Sequence, residues 1–268
     1  MKISRLGCLL GGIALAMMPV LSSAGELPMY FASTWKAKKV LTEDMAAAMA
    51  KGSGLDIRPH IVNSNAELIA AFAKKEPAIV YVGSMVTAVL YHRGLIDPLA
   101  QGVNDKEMYT SVLIVPLAAE NDATAMVKEA GTAIAYAKGF SSGELGAKAA
   151  SDGQANIATE THEAALGALR SGKAKAAFVK NWWWEDNKKK YPKFKMLNYP
   201  GVSELQNPDN VLSASKAVTA EDAAKIKKAV TDNYFVFQVR SFRPFEASLL
   251  KGTLELMAKA KLDPSKYP

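Results

Sequence analysis

The chain has 268 residues, of which 49% are hydrophobic, and a formal net charge of +7. This length is ample for one large domain or two lobes with a buried core, which excludes a small domain that depends on cross-links. The lysines are dispersed apart from one run, Lys188–Lys190, so we expect no nucleic-acid partner, whereas a mild positive field favours an anionic solute.

The first 24 residues have the features of a secretory signal peptide. Lys2 and Arg5 precede an apolar run over residues 6–21, and a small-x-small cleavage pattern follows. The run is short for a membrane span, although an uncleaved anchor is an alternative. We therefore expect a mature periplasmic chain that begins near Gly25. Cys8 is the only cysteine, so no disulfide is expected in the mature chain.

The first part of the mature chain alternates apolar runs with helical patterns. The predicted order is strand Pro28–Ala32, helix Ala37–Lys51, strand Asp56–Val62, a helix from Ser64 or Asn65 to about Lys74, strand Ala78–Val82, and a helix from Ser84 to about Arg93. This alternation indicates βαβ units, in which binding sites lie at the carboxyl ends of strands. Ser33, Asn65 and Ser84, which follow three of these strands, are therefore candidate ligand-binding residues.

A second unit of the same kind follows. Its predicted elements are strand Ser111–Val115, a helix within Thr124–Ala130, strand Ala133–Ala137, a helix to about Ser151, an extended piece at Asn156–Ala158, helix Thr161–Arg170, strand Ala176–Val179 and a short strand Met196–Tyr199. Two helices, Ala220–Phe237 and Pro244–Ala260, and a loose tail, Asp263–Pro268, complete the chain.

These elements predict a two-lobed α/β protein in which each lobe is a mainly parallel sheet flanked by helices. The chain is expected to cross between lobes near Val112–Pro116 and near Asn207–Val211, which makes a two-strand hinge. Lobe 1 then comprises residues 25–115 and 212–268, and lobe 2 residues 116–211. Lobe closure around a ligand is the motion that this design permits.

The segment Gly131–Gly146 carries the clearest chemical signal. An apolar run leads into a glycine-bounded turn with two adjacent hydroxyls, Ser141 and Ser142, followed by Gly143 and the start of a helix. The first amides of a helix lack internal partners and carry partial positive charge, so such a turn suits an anion. The alternative is that Ser141 or Ser142 simply caps the helix.

The sequence offers little for metal or nucleophile chemistry. The mature chain has three histidines, His60, His92 and His162, which are far apart and have no metal-ligand spacing. Nucleophile-elbow, phosphate-loop and dinucleotide-binding motifs are absent. We expect no cofactor, no metal and no catalysis, although Glu163 beside His162 keeps an exported enzyme as a minor alternative.

The order of these features resembles that of the periplasmic phosphate- and phosphonate-binding proteins that serve ABC importers. The resemblance covers roughly residues 28–235. It rests on four segments, namely Ala78–Ser84 (a strand ending in a glycine turn), Tyr109–Val115 (a tyrosine before an apolar strand), Phe140–Gly143 (a hydroxyl-hydroxyl-glycine loop) and Thr161–Ala164 (a His-Glu helix start). The resemblance implies the type II periplasmic-binding fold, a small anionic ligand and a membrane permease as partner. We expect the protein to be a monomer.

In that family the matching tyrosine, hydroxyl pair and histidine contact the phosphorus oxyacid. The resemblance thus carries ligand contact to Tyr109, Ser141, Ser142 and His162. Charge-assisted hydrogen bonds are strong, and a buried anion needs all its lone pairs satisfied, so these residue types suit the task. The alternatives are a core or hinge role for Tyr109 and a solvent-facing helix start for His162.

Departures from the family bear on the ligand. Relatives that bind aminophosphonates have a tyrosine where this chain has Asn65, and acidic residues for the ligand's ammonium where it has Lys180, Asn181 and Trp182. We therefore expect an anion without a cationic amine, such as phosphate, phosphite, a simple phosphonate or a carboxylate. A pocket rebuilt for an organic ligand, in a sensing or accessory subunit, is the alternative.

The run Trp182-Trp183-Trp184 cannot face the core with every ring if it is extended. Trp182, which is nearest the strand end, is expected to lie at the cleft, where an indole can stack on a ligand. The alternative is packing on the lobe surface or against a partner.

Overall fold

The computed structural model of the protein describes residues 25–267. The predicted signal peptide and Cys8 lie outside these residues. Within them, short apolar runs form strands and mixed runs form helices, and the two kinds of element build two β-sheets flanked by helices. The predicted α/β class is therefore confirmed.

The strands are short, and most are buried on both faces. They are β1 (Leu27–Phe31), β2 (Ile57–Ile61), β3 (Ile79–Val82), β4 (Ile96–Val103), β5 (Met108–Tyr109), β6 (Ser111–Pro116), β7 (Ile134–Ala137), β8 (Ile157–Thr159), β9 (Ala176–Lys180), β10 (Phe194–Leu197), β11 (Asn207–Pro208), β12 (Val211–Ser215) and β13 (Ser241–Pro244).

The helices cover the faces of the sheets. They are α1 (Lys39–Ser53), α2 (Asn65–Ala73), α3 (Ser84–His92), α4 (Ala123–Ala130), α5 (Gly146–Ala150), α6 (His162–Arg170), α7 (Asn181–Asn187), α8 (Ala220–Asp232) and α9 (Lys251–Lys259). Short 3₁₀ segments occupy Ser33–Lys38, Lys188–Lys190, Tyr234–Phe237 and Ala247–Leu250, and a π-helical turn occupies Ser141–Leu145.

The two sheets are mixed rather than mainly parallel, which corrects the prediction. The first has the strand order β13-β4-β12-β3-β1-β2 and the second β10-β6-β9-β7-β8. β1 pairs parallel with β2 and β3, and β7 pairs parallel with β8 and β9, while the remaining ladders of both sheets are antiparallel. Strands such as β3 and β7 are buried at every residue, and a uniformly apolar run carries no sign of its neighbours' direction.

The chain passes between the two sheets twice, and the two crossing segments lie side by side. β5 and β11 form a two-stranded antiparallel ladder in which Tyr109 pairs with Asn207 and Met108 with Pro208. The predicted first crossing at Val112–Pro116 is wrong, because these residues belong to β6, which pairs with β9 and β10. The chain crosses before residue 111 instead. A buried apolar strand cannot reveal from its own sequence which sheet it joins.

Three strands of the two main sheets were not predicted. β4 contains Pro98 and Gly102, residue types that weaken a strand pattern. β12 is a central strand that pairs antiparallel with β3 and β4. β13 is an edge strand that ends at the first residue of the predicted helix Pro244–Ala260, where α9 begins only at Lys251. Pairing with neighbours distant in the sequence decided all three cases.

The carboxyl-terminal tail is docked rather than loose. The Arg93 side chain donates through Nε to the Pro264 carbonyl at 2.9 Å and through Nη2 to the Tyr267 carbonyl at 2.5 Å. The Tyr267 ring is buried in the core that α9 shares with α3 and α5. The anchoring arginine precedes the tail by more than 170 residues, so local composition gave no sign of this contact.

Several helices begin at a side chain that accepts a hydrogen bond from their first free amides, which the backbone cannot satisfy. The capping residues are Ser64 for α2, Asp122 for α4, Thr161 for α6 and Thr219 for α8. The predicted start of α2 is therefore confirmed, with Ser64 as its cap.

Candidate functional site

A cleft of about 350 Å³ lies between the two sheets. Parallel strands from both sheets, β1 and β3 of the first and β7 and β9 of the second, lead directly into the segments that line it. Each sheet therefore presents the carboxyl ends of its parallel strands to the same space, as the βαβ pattern predicts. The lining residues that were predicted from the sequence are Ser33, Asn65, Ser84, Tyr109, Ser141, Ser142 and His162.

Three helical segments begin at this cleft without a capping side chain. The segment that starts at Ser33, helix α3 at Ser84 and the π-helical turn at Ser141 have Ala32, Gly83 and Phe140 at their N-cap positions, and no side chain within residues 25–267 accepts from their first amides. Ala, Gly and Phe carry no side-chain acceptor, so the amides stay available. Side-chain caps by Ser, Asp or Thr occur at the starts of α2, α4, α6 and α8, away from these three segments. The cleft therefore gathers helix starts that suit an anion.

Hydroxyl groups from both sheets meet between these helix starts. The Ser84 Oγ lies 2.8 Å from the Tyr109 hydroxyl and 2.7 Å from the Ser141 Oγ. The three side chains are buried, and burial is the largest cause that raises the pKa of Tyr109 to about 12, so its hydroxyl keeps its proton at neutral pH. We call Ser84, Tyr109, Ser141 and Ser142 the hydroxyl cluster. It supplies rotatable O–H donors in a space from which water is largely excluded.

Neither Ser141 nor Ser142 caps a helix, which corrects the alternative interpretation. Ser141 bonds across the cleft to Ser84, and the Ser142 Oγ lies 3.4 Å from the Nε2 of His162. Both residues are already inside the π-helical turn, one and two positions past its N-cap, Phe140. A wide turn of this kind is frequently found at functional sites.

Gly143 supports the cleft without lining it. A Cβ at this position would lie 2.7 Å from the Ala137 carbonyl oxygen and 2.8 Å from the Ala137 nitrogen, so only glycine allows the turn to pack on β7. Glu144, buried behind the turn, accepts a hydrogen bond from the Gly139 amide at 2.7 Å and pairs with Lys148 at 2.7 Å. Gly143, the glycine of the turn that is predicted to bind an anion, is not among the residues that line the cleft and packs against β7.

His162 is the first residue of α6, and its side chain is buried rather than solvent-facing. Burial and, to a smaller extent, the nearby Lys180 ammonium lower the pKa of His162 to about 3, so the ring is neutral at pH 7. Its Nδ1 has no hydrogen-bond partner among the described residues. A buried polar atom without a partner is costly.

Asn65 and Ser33 belong to the wall formed by the first sheet. Asn65 reaches across to the loop of the second sheet at Gly139, where a Cβ would lie 2.7 Å from the Asn65 Nδ2. Gly139 has a φ of +79°, a backbone angle that residues other than glycine rarely adopt. The two walls are thus in direct contact at this point.

The tryptophan run is helical, which corrects the predicted role of Trp182. Because Trp182-Trp183-Trp184 lie in α7, their side chains point about 100° apart around a helix rather than to opposite faces. Trp183 lines the cleft and contacts His162 with ring centroids 5.7 Å apart. Trp182 instead packs edge-on against Tyr109 at 5.9 Å, and Trp184 is buried against Tyr191.

Asp209, which lies between β11 and β12, lines the cleft and was not predicted from the sequence. Its carboxylate accepts from the Lys180 ammonium at 3.0 Å. The substitution of Lys180 for an acid therefore does not leave the cleft without a carboxylate. Asp209 follows a two-residue strand in the second crossing, and no local motif marks it.

The remaining charges of the cleft are positive. Lys38 and Lys138 line it together with Lys180, while Asp209 is the only acidic residue among the described residues that do so. Between residues 25 and 267 there is no group of three or more side chains suited to holding a metal ion. The charged side chains that line the cleft are therefore mostly positive.

The part of the chain that the structure describes contains no helix that is long and apolar enough to cross a bilayer.

Comparisons with known proteins agree with this geometry. Residues 34–233 match the family described as the periplasmic substrate-binding protein of ABC phosphonate transporters, which confirms the resemblance drawn from the sequence. No curated protein matches the chain in a direct comparison.

Solved structures share the fold at low sequence identity. A Xanthomonas citri protein solved with bound ATP has a TM-score of 0.69 at 11% identity, covering 88% of this chain and 97% of that one. PhnD1 from Prochlorococcus marinus, solved with methylphosphonate, has a TM-score of 0.65 at 15% identity, covering 88% of this chain and 98% of that one. A binding-protein component of an ABC phosphonate transporter from Pseudomonas aeruginosa has a TM-score of 0.64 at 14% identity, covering 88% of this chain and 86% of that one. The predicted two-lobed binding-protein fold is confirmed.

Proposed function

The chain belongs to the periplasmic substrate-binding proteins of ABC phosphonate transporters, and from that premise we propose that it captures a small phosphorus oxyanion without a cationic amine and delivers it to a membrane permease. This family consists of transport proteins and not of enzymes. The chemistry to explain is therefore selective, reversible capture.

One observation carries the proposal: three uncapped helix starts and the hydroxyl cluster converge on one cleft between the sheets. Tetrahedral oxyanions present several acceptor oxygens and no donor when fully ionised. Amides, hydroxyls and a neutral histidine N–H match that pattern from several directions. Ser33, Ser84, Tyr109, Ser141, Ser142 and His162 are the residues proposed to make these contacts, with Asn65 beside them.

The cleft also has room for an organic substituent. Indole rings flank it on both sides, Trp35 from the first sheet and Trp183 from the second. The structural neighbour from Prochlorococcus marinus was solved with methylphosphonate and the one from Xanthomonas citri with ATP, so both hold a phosphorus oxyacid. These features support a phosphonate or phosphate carrying an uncharged tail. An organic ligand sensed by an accessory subunit would use the same walls.

Capture follows from the arrangement of the two sheets. We infer that each sheet with its helices is one lobe, and that the β5–β11 ladder is the hinge about which the lobes close. The Ser84 and Ser141 hydroxyls bond to each other across the gap. An oxyanion would replace that contact by accepting from both. We further propose export through cleavage of the leading segment and action as a periplasmic monomer.

The test is a ligand panel on the mature chain. Methylphosphonate, phosphate, phosphite, sulfate and acetate are compared by thermal shift, and the hits are titrated calorimetrically. A ligand that binds only the folded form raises the melting temperature. We expect the phosphorus oxyanions to raise it most, with one ligand bound per chain. Stabilisation by acetate alone, or by none of the five, would overturn the proposal.

A further inference from the structure

The Lys180 ammonium is enclosed within the cleft. Its Nζ lies 3.0 Å from the Asp209 carboxylate, 4.3 Å from the centroid of the Tyr109 ring and 4.5 Å from that of Trp182. Only 20% of the Lys180 side chain and 30% of the Asp209 side chain are exposed. We call Lys180 with these three neighbours the lysine cage.

These neighbours have the chemistry of a binding site for a primary ammonium ion. A carboxylate supplies the charge-assisted hydrogen bond, and two aromatic rings supply cation–π attraction that strengthens as water is excluded. A lysine on the protein surface needs none of these partners. The chain has thus built an ammonium site at its ligand cleft and has filled it with its own side chain.

We propose that Lys180 is a specificity-determining residue whose ammonium occupies this site and thereby excludes ligands with a cationic tail. This inference rests on the proposed function for its ligand class. Asp209 is already paired, so an incoming amine would have to displace a tethered ammonium and would also meet its positive charge. Removing the Lys180 side chain would turn the cage into a subsite for a ligand amine.

The cage lies beside the proposed oxyanion site, because Tyr109 belongs to both. Its hydroxyl bonds to Ser84, while its ring face receives the Lys180 ammonium. The two sites are therefore one phenol ring apart. A tail of two or three carbons on a bound phosphonate can span that separation.

The backbone holds the cage in place. The amide of Asn181 donates to the Thr110 carbonyl at 3.1 Å, and the Thr110 amide donates to the Asn181 Oδ1 at 3.1 Å. These bonds join the residue after Lys180 to the residue after Tyr109. The cage walls therefore persist when the lysine side chain is shortened.

The experiment compares the parent with Lys180→Ala, Lys180→Met and the double variant Lys180→Ala/Asp209→Asn. The ligands are ethylphosphonate and 2-aminoethylphosphonate, which differ only in the amine. Calorimetry gives the ratio of their affinities, so a general effect of a substitution on phosphonate binding cancels. We expect this ratio to favour the amine about tenfold more in Lys180→Ala than in the parent, the effect of one charge-assisted contact.

The two controls separate charge from space. Lys180→Met removes the positive charge but keeps the cage filled, so its ratio should rise less than that of Lys180→Ala. In the double variant the carboxylate is gone, and the preference for the amine should be lost. An equal ratio in the parent and in Lys180→Ala would overturn the inference, because the ion pair would then be only a structural bridge.

A second measurement does not depend on phosphonate binding. Propylammonium replaces the atoms that Lys180→Ala removes, so it should raise the melting temperature of that variant. The parent and the double variant should not respond, nor should Lys180→Ala respond to 1-propanol. If no variant binds a phosphonate, the proposed function fails while this rescue still decides the cage. No rescue in Lys180→Ala contradicts the ammonium site.

Discussion

The hydroxyl cluster and the lysine cage lie side by side in one cleft, yet they are built on opposite principles. In the cluster, Ser84, Tyr109 and Ser141 are neutral groups that bond to one another and can rotate towards a ligand. In the cage, Lys180 and Asp209 are full charges that are already paired.

The difference shows how one cleft can attract an anion and yet be selective. Neutral donors exchange their mutual bonds for bonds to an oxyanion at little cost, since each hydrogen bond lost is replaced. Breaking a partly buried ion pair leaves a charge without a partner, which costs much more. The cluster is therefore the adaptable end of the cleft, and the cage is the fixed end.

The largest effect is expected from disrupting the packing of Gly143 on β7, which supports the hydroxyl cluster. Gly143→Ala would force a Cβ into the backbone of Ala137, which cannot move aside as a flexible side chain could. We expect the free energy of unfolding to fall by about 3 kcal/mol, as in overpacked cores. Binding of methylphosphonate should be lost, whereas the backbone contacts of the cage, which lie elsewhere, are not altered directly. Urea unfolding and calorimetric titration measure the two effects.

Gly167→Ala is the matched control, because a Cβ there meets nothing within 4 Å in the interior of α6. It should be neutral or slightly stabilising, since alanine favours helices more than glycine. Equal stability of Gly143→Ala and Gly167→Ala would contradict the packing role assigned to Gly143.

The next largest effect is expected from removing one hydroxyl donor of the cluster while the packing of Gly143 stays intact. Ser142→Ala should weaken methylphosphonate binding about tenfold, because an anionic oxygen loses a charge-assisted hydrogen bond. Calorimetric titration of the variant and the parent measures the change. The stability of the unliganded protein should change little, since the Ser142 contact with His162 is long at 3.4 Å.

Ser171→Ala, at an exposed position after α6, serves as the control and should bind like the parent. Should Ser142→Ala and the parent have the same affinity, Ser142 would not be a ligand contact, and the cluster would have to be redrawn without it.

A third effect, spread over several pH units, concerns the pH dependence contributed by His162, the neutral ring beside the cluster. Its pKa is about 3 in the folded protein and near the ordinary value of 6.5 in the unfolded chain. Between these values the unfolded chain binds more protons, so acid favours unfolding. The contribution of His162 is complete above about pH 6.5. It declines by up to about 1.4 kcal/mol per pH unit as the pH falls towards 3.

Urea unfolding between pH 7 and pH 4 tests this in the parent and in His162→Gln. The variant should show a shallower loss of stability on acidification. His92→Gln, which changes an exposed ring, should keep the slope of the parent. A parental slope in His162→Gln would show that the buried ring is not the group that titrates.

The sequence alone determined the alternation of strands and helices and the four segments on which the family resemblance rests. It also predicted seven of the residues that line the cleft, because a strand end followed by a helix start is a local pattern. The capping of α2 by Ser64 was predictable for the same reason. Such features depend on residues within one turn of each other.

Tertiary structure decided what depends on partners far away in the chain. The direction of neighbouring strands, the sheet to which β6 belongs and the anchoring of the tail by Arg93 all involve long-range contacts. The pairing of Asp209 with Lys180 is also a long-range contact. The tertiary structure likewise decided that the tryptophan run is helical, so that Trp183 rather than Trp182 lines the cleft. The physical reason is that burial and pairing energies belong to residues brought together by folding, and no local pattern records them.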